Sequence, residues 1–349
     1  VATWNVELSR RGPGLLLADI EGGKDAQVAA VAAVIAEVAP DILLLTSLDY
    51  DAELAALRAL AARIAAAGGT EYPHLFALRP NTGRTSGLDL DGDGRQGGPG
   101  DAQGFGRFAG EGGMALLSRL PVAADQARDF SAFLWRDLPG ALLPEAEGRP
   151  YPSEEALASQ RLSTTGHWAV PVELPGGGRL TLLAWHATPP VFDGPEDRNG
   201  RRNHDEAAFW AALIDGRIPG EAAPEAPFVI LGDANLDPVD GDGRPEALRA
   251  LLAGPALQDP APESAGAAAA AESQGGPNVG QAGPAALDTA DWPEEAGGPG
   301  NLRVDYVLPS AELAVTGAGV FWPGEGDPLA ELAAAASRHR LVWVDIALP

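Results

Sequence analysis

The sequence predicts an α/β fold, on three observations. Short apolar runs of strand character alternate with stretches whose apolar residues recur at helical spacing. The run at 41–46 (DILLLT) is apolar almost throughout, the pattern of a strand buried on both faces. A chain of 349 residues can bury about three quarters of its unfolded surface, so its core needs no staple.

The elements follow in order. ATWNVEL at 2–8 reads as a short strand. Residues 25–38 carry Val, Ala and Ile at helical spacing, and the strand 41–46 comes next. An Ala/Leu helix is expected at 51–67. Strands are expected at 74–78, 114–118, 168–174 and 180–185. Residues 203–214 read as a helix with Phe209, Trp210 and Leu213 on one face. A strand at 228–231, a helix at 245–253 and strands at 303–308 and 341–348 complete the series.

Two segments interrupt the rhythm. Residues 79–113 are mostly Gly, Asp, Arg and Asn, and residues 254–300 are rich in Ala, Gly, Pro and Glu. Loops this long are uncommon in compact domains. Apolar strands resume after each in the same style, so one domain over 1–349 is expected, with two loop excursions. The alanine run at 265–271 reads as a solvated loop.

Composition excludes several classes. There is no Cys, hence no disulfide, thiolate metal site or Cys nucleophile. Acids outnumber bases 49 to 24, Lys24 is the sole lysine, and the formal charge is −25. Duplex DNA and anionic membranes call for a basic footprint, so both are unlikely partners. The same excess of acid suits cations. No apolar run reaches the roughly 18 residues of a membrane span. The first residue is Val rather than Met, so a trimmed N-terminus is expected; removal of an export signal would fit a secreted or periplasmic address, which the sequence leaves open.

Polar residues cluster at strand ends, where an α/β fold places its cleft. Asn5 lies in the first strand, His186 closes 180–185, Asp233 and Asn235 follow FVILG, Asp305 lies within RVDYVL, and His339 precedes the last strand. Asp, Asn and neutral His are ligands for a divalent ion. Turn formation is the alternative for each Asn and Asp, and a structural role for each His.

The motifs TWNVE, WHATPP, LGDANLDP, RVDYVLP and SRHRLVWV occur in the order of the endonuclease/exonuclease/phosphatase superfamily. The chain resembles that DNase I-like superfamily over nearly its whole length, in a bacterial branch with an enlarged Asp/Gly loop. The resemblance implies a four-layer α/β sandwich, two mixed β-sheets packed face to face and flanked by helices. It also implies phosphoester hydrolysis with Mg²⁺ or Mn²⁺. By position, Asn5 becomes a metal-site residue. His186 and His339 clamp the phosphoryl group, Asp233 handles the water, Asn235 binds phosphate or metal, and Asp305 supports them.

Two positions depart from the pattern. The acid expected after the second strand is Ser47, a neutral and weak ligand. Asp49 and Glu7 are the nearest acids to replace it. The Asp expected before the last His is Arg338, which should depress the pKa of His339 or bind the phosphate itself. Two readings follow. One is a metal-dependent phosphoesterase of a small phosphorylated substrate. The other is a degenerate relative that binds a protein partner.

Asp89, Asp91, Asp93 and Gly94 reproduce the D-x-D-x-D-G start of a calcium loop, but Gly100 stands where an EF-hand needs Glu. A Ca²⁺-ordered loop without the EF-hand form remains, beside an acidic solvated turn. In DRNGRRNH at 197–204, Arg198, Arg201 and Arg202 are candidate contacts to an anionic substrate, or else partners of the surplus acids.

Overall fold

The computed structural model describes residues 1–292 and 298–348. The chain begins with β1 (Ala2–Leu8), α1 (Leu15–Gly22), α2 (Ala26–Val38), β2 (Ile42–Leu48), α3 (Ala55–Ala66), β3 (His74–Phe76) and β4 (Gly113–Ser118). Then come β5 (Arg128–Asp129), β6 (Glu145–Ala146), β7 (Arg149–Pro150), α4 (Glu154–Ser159), β8 (Gly166–Glu173), β9 (Arg179–His186) and α5 (Arg198–Ile214). The last third holds β10 (Phe228–Asp233), α6 (Glu246–Leu252), α7 (Ala265–Gln274), β11 (Asp305–Pro309), β12 (Ala314–Phe321), α8 (Ala330–Ala336) and β13 (Leu341–Ala347).

Two mixed sheets form. The first has the order β12-β13-β1-β2-β4-β3 and the second β11-β10-β9-β8-β5. Each contains one parallel pair, β1 with β2 and β9 with β10; the other pairings are antiparallel. The period-2 alternation of a strand explains the layers. Ile42 and Leu44 face inward, in one cluster with Trp168, Leu182, Leu231 and Val307 of the second sheet. Leu43 and Leu45 face outward onto Val31, Ile35, Leu57 and Leu60 of α2 and α3. The second sheet does the same, with Leu183, Trp185 and Ile230 packed on Phe209, Trp210 and Leu248 of α5 and α6. The result is the four-layer α/β sandwich. An unbroken apolar run is what a strand between two apolar layers requires, at roughly 1.5–3 kcal/mol for each fully buried Leu.

Helices α1, α4 and α8 and the short strands β5, β6 and β7 were not among the expected elements, and three further parts differ from the sequence reading. The alanine run is helical in α7, capped by Ser264, whose Oγ accepts from the Gly266 N–H at 3.0 Å. Alanine is the strongest helix former, and Gly266 lets α7 lie so close to Trp322 that a Cβ there would be 1.9 Å from the Trp322 carbonyl oxygen. The helix expected at 203–214 begins five residues earlier, at Arg198, and takes in most of the Arg-rich stretch. Strand β12 was not expected, because half of AVTGAGVF is Gly and Ala, which are depleted in strands. It is chosen by its partner: a Cβ at Gly319 would sit 2.8 Å from the Trp343 ring of β13.

Candidate active site

The second sheet aligns three functional side chains by register alone. Asp233 at the end of β10 pairs with His186 of β9 on one side and with Asp305 of β11 on the other. The first sheet reaches the same cleft with Asn5 of β1, which pairs with Thr46 of β2. Beyond that pair the register breaks, between Asn5 and Leu8 and between Leu45 and Leu48. Glu7 and Ser47 sit in these breaks with φ of 48° and 55°. Left-handed backbone at non-glycine residues costs of order 1–3 kcal/mol each, and such bulges re-aim side chains beside active sites.

A hydrogen-bond network joins the two ends. Asn5 Nδ2 donates to Asp233 Oδ2 at 2.8 Å. The Asn235 backbone N–H donates to Asp233 Oδ1 at 2.7 Å, and Asn235 Nδ2 donates to the Ala187 carbonyl at 2.9 Å. His186 Nε2 lies 3.4 Å from Asp233 Oδ2, while its Nδ1 is buried without a partner among the described residues. His339 Nδ1 is 2.8 Å from Asp305 Oδ2 and 4.0 Å from Asp233 Oδ2. Thr289 Oγ1 also donates to Asp305 Oδ2, at 3.0 Å. The indole of Trp292 meets the His339 ring edge-on at 5.4 Å.

Burial and proximity set the charges. Burial pulls His339 toward the neutral form, but the Asp305 and Asp233 carboxylates outweigh it and lift its pKa to about 9. Burial, then the charge of Asp305, pushes Asp233 up to about 7 against the pull of His339. Burial and the neighbouring His339 cation drive His186 down to about 3. At neutral pH the cleft therefore holds one cationic and one neutral imidazole. The expectation that Arg338 depresses His339 is overturned. The Arg338 guanidinium is turned onto Glu7, with Nε 2.8 Å from Oε1, and the carboxylates of Asp305 and Asp233 decide the charge of the ring.

Asn5, His186, Asn235, Arg338 and His339 line a cleft of about 1140 Å³, together with Glu7 and Ser47. Asp233 and Asp305 are fully buried and bonded to that lining. Several candidates lie elsewhere. Asp49 is held away from the cleft, because its two oxygens accept from the backbone N–H groups of Gly112 and Arg10 at 3.0 and 2.9 Å. Arg202 is buried and donates to the carbonyls of Leu162, Gln103, Arg161 and Ser163, so it meets no substrate. Arg198 donates to the Leu90 carbonyl and ties α5 to the Asp/Gly loop.

In that loop Asp89 and Asp91 converge with Asp101, and Asp93 is not one of the three. Asp89 accepts from Gly92 and Gly94, Asp91 from Asp93, Asp93 from Arg95, and Asp101 from Leu90 and Gly98, all backbone N–H groups.

Sequence reasoning passed over Thr289, Ser337 and Glu206. Glu206 is fully buried and accepts from Thr164 and from the Thr188 N–H at 2.8 Å, bracing the segment after His186. A signal for it existed, since Arg202 and Glu206 lie on the same face of α5 as Phe209 and Leu213. Thr289 carries no such signal inside a Gly/Pro-rich excursion.

The residues fit a hard divalent cation, which takes oxygen ligands. Asn5, Glu7 and Asn235 offer amide and carboxylate oxygens in the cleft, and the buried Asp305 Oδ1 has no hydrogen-bond partner among the described residues.

A model of the endonuclease/exonuclease/phosphatase family matches residues 2–339. Among solved structures, an endonuclease/exonuclease/phosphatase from Beutenbergia cavernae is similar over 99% of this chain and 70% of its own, at 19% identity and a TM-score of 0.56. A family protein from Leptotrichia buccalis is similar over 99% of this chain and 98% of its own, at 15% identity and a TM-score of 0.53. Both likenesses show the DNase I-like fold. No curated protein matches the chain in sequence. The family is one of phosphoester hydrolases that work with a divalent cation. With the match running from β1 to His339, this chain belongs to the endonuclease/exonuclease/phosphatase family.

Proposed function

We propose that the chain hydrolyses a small phosphorylated substrate, a phosphomonoester or phosphodiester, with Mg²⁺ or Mn²⁺. The observation that carries this reading is the Asp233–Asp305–His339 cluster joined to the cleft lining. In-line displacement at phosphorus needs a positioned water, a proton acceptor and compensation of the phosphoryl charge. Asp305 holds His339 by Nδ1, which leaves the other ring nitrogen for a phosphoryl oxygen, and the imidazolium supplies the compensating charge. Asp233, with its pKa lifted to about 7, is matched to taking a proton from water near neutral pH. Neutral His186 orients the phosphoryl group without adding charge, while Asn235, whose Nδ2 is engaged by the Ala187 carbonyl and Asp233, offers its amide oxygen to the cation. Asn5 and Glu7 would hold the cation, which when bound neutralises phosphate oxygens and acidifies water.

The cleft lining includes Glu111, Asp237 and Asp242, and the chain carries a charge of −25. Both repel a polyanion, which supports a small substrate over duplex DNA. The test is hydrolysis of a chromogenic phosphomonoester and a phosphodiester with Mg²⁺, Mn²⁺ or Ca²⁺, beside His186→Ala. Turnover that needs both metal and His186 is expected. A second reading, a catalytically silent binding or assembly partner, is favoured by neutral Ser47 and by the Glu7–Arg338 ion pair. A cooperatively melting protein with no turnover under any metal would select it.

A further inference from the structure

The Glu7 carboxylate is held in two different ways. Its Oε2 accepts from the Arg338 backbone N–H at 2.8 Å and lies 3.1 Å from Ser337 Oγ. Its Oε1 accepts from the Arg338 guanidinium. The chain therefore fixes one oxygen and a side chain covers the other. That side chain is 57% exposed and has solvent to swing into, whereas Glu7 is 23% exposed. Ser337 Oγ donates its single proton to the Asn5 carbonyl at 2.7 Å, and the Glu7 N–H donates to Asn5 Oδ1 at 3.2 Å. Glu7 and Asn5 are thus one preorganised oxygen unit. Across from it in the adjacent strand, at the matching register break, stands Ser47.

We propose that Glu7 is the charged ligand of the cleft's divalent cation in place of the neutral Ser47, and that Arg338 is the built-in counter-ion the cation must displace from Glu7 Oε1. The proposal rests on the phosphoesterase reading only for the presence of a cation. Displacement leaves Glu7 in place, because the Arg338 backbone N–H that holds Oε2 does not depend on the guanidinium. It also releases a guanidinium beside His339, at the cleft lining.

The test is calorimetric titration of the full chain with MnCl₂ and no phosphate, with thermal melting to show that each variant is folded. Glu7→Gln keeps the shape and removes the charge; it is expected to weaken Mn²⁺ binding about tenfold or more. Arg338→Gln is expected to tighten it by up to about fivefold, the scale of an exposed ion pair. The double variant is expected to match Glu7→Gln, because Arg338 acts only through Glu7. Equal tightening by Arg338→Gln in both backgrounds would mean a general field effect and overturn the proposal. So would Mn²⁺ binding that ignores Glu7, although metal- and His186-dependent turnover would then still uphold the phosphoesterase reading. If the parent and Arg338→Gln both bind no Mn²⁺, the proposal and the cation fall together.

Discussion

The parallel pairs β1/β2 and β9/β10 reach the cleft at equivalent ends but arrive there differently. The second pair keeps its register to the last residue, and simple pairing sets His186, Asp233 and Asp305 side by side. The first pair breaks register, and two left-handed residues, Glu7 and Ser47, carry its contribution. The second end is buried and concentrates charge: burial and crowding shift Asp233 and His186, and its carboxylates lift His339, which comes from the start of β13 in the first sheet. The first end is more exposed, and its carboxylate already has a counter-ion. The difference teaches that register alone can line up a buried charge cluster, whereas a register break is needed to present Glu7 at a more exposed edge, and on the proposed reading the two respond to different substitutions.

The largest expected effect lies in the second end. Asp233→Asn removes the proposed proton acceptor and is expected to lower turnover about 10³-fold with little change in KM. If turnover hardly falls, the contrast between the ends collapses. A stability effect should come next, outside both ends. Arg202→Ala leaves several buried carbonyls unpaired and is expected to cost about 2–3 kcal/mol in denaturant unfolding. Arg338→Ala is expected to stay within about 1 kcal/mol.

Asp305→Asn sharpens the comparison electrostatically. The His339 imidazole is expected to titrate near 9 in the parent and to fall toward 6.5 in the variant, read by NMR, with turnover down about 10²-fold. The sign for stability follows from linkage. The His339 value is raised above that of the unfolded chain, so its stabilisation is fully present below about 6.5 and is lost as pH rises through about 9. Melting temperature against pH measures it. The smallest effect sought is a gain: Ser47→Glu restores a charge to the first end and is expected to tighten Mn²⁺ binding about tenfold. An unchanged affinity would show that the backbone at residue 47 aims its side chain away from the cation.

Much of this was legible in the sequence, for reasons that differ by residue. DILLLT declares a strand between two apolar layers, and Val28, Val31 and Ile35 declare a helix with one buried face. Asp233 and Asn235 were legible because a polar cluster follows an apolar strand in GDAN. Asp49 and Arg202 misled because residue type says nothing of direction. Asp49 turns both oxygens to backbone amides, and Arg202 meets carbonyls inside the fold. Glu7 was named only as a stand-in, since its pairing with Arg338 spans 331 residues of chain.

The sequence by itself determined the α/β alternation, the strand ends that carry the chemistry and the excess of acid, because periodicity, turn chemistry and composition are local properties. Tertiary structure alone decided the charge of each imidazole, the occupation of Glu7 by Arg338 and the choice of a Gly/Ala-rich segment as β12. Each of those depends on which distant group lies a few ångströms away and on how much water lies between them, and no local pattern encodes either.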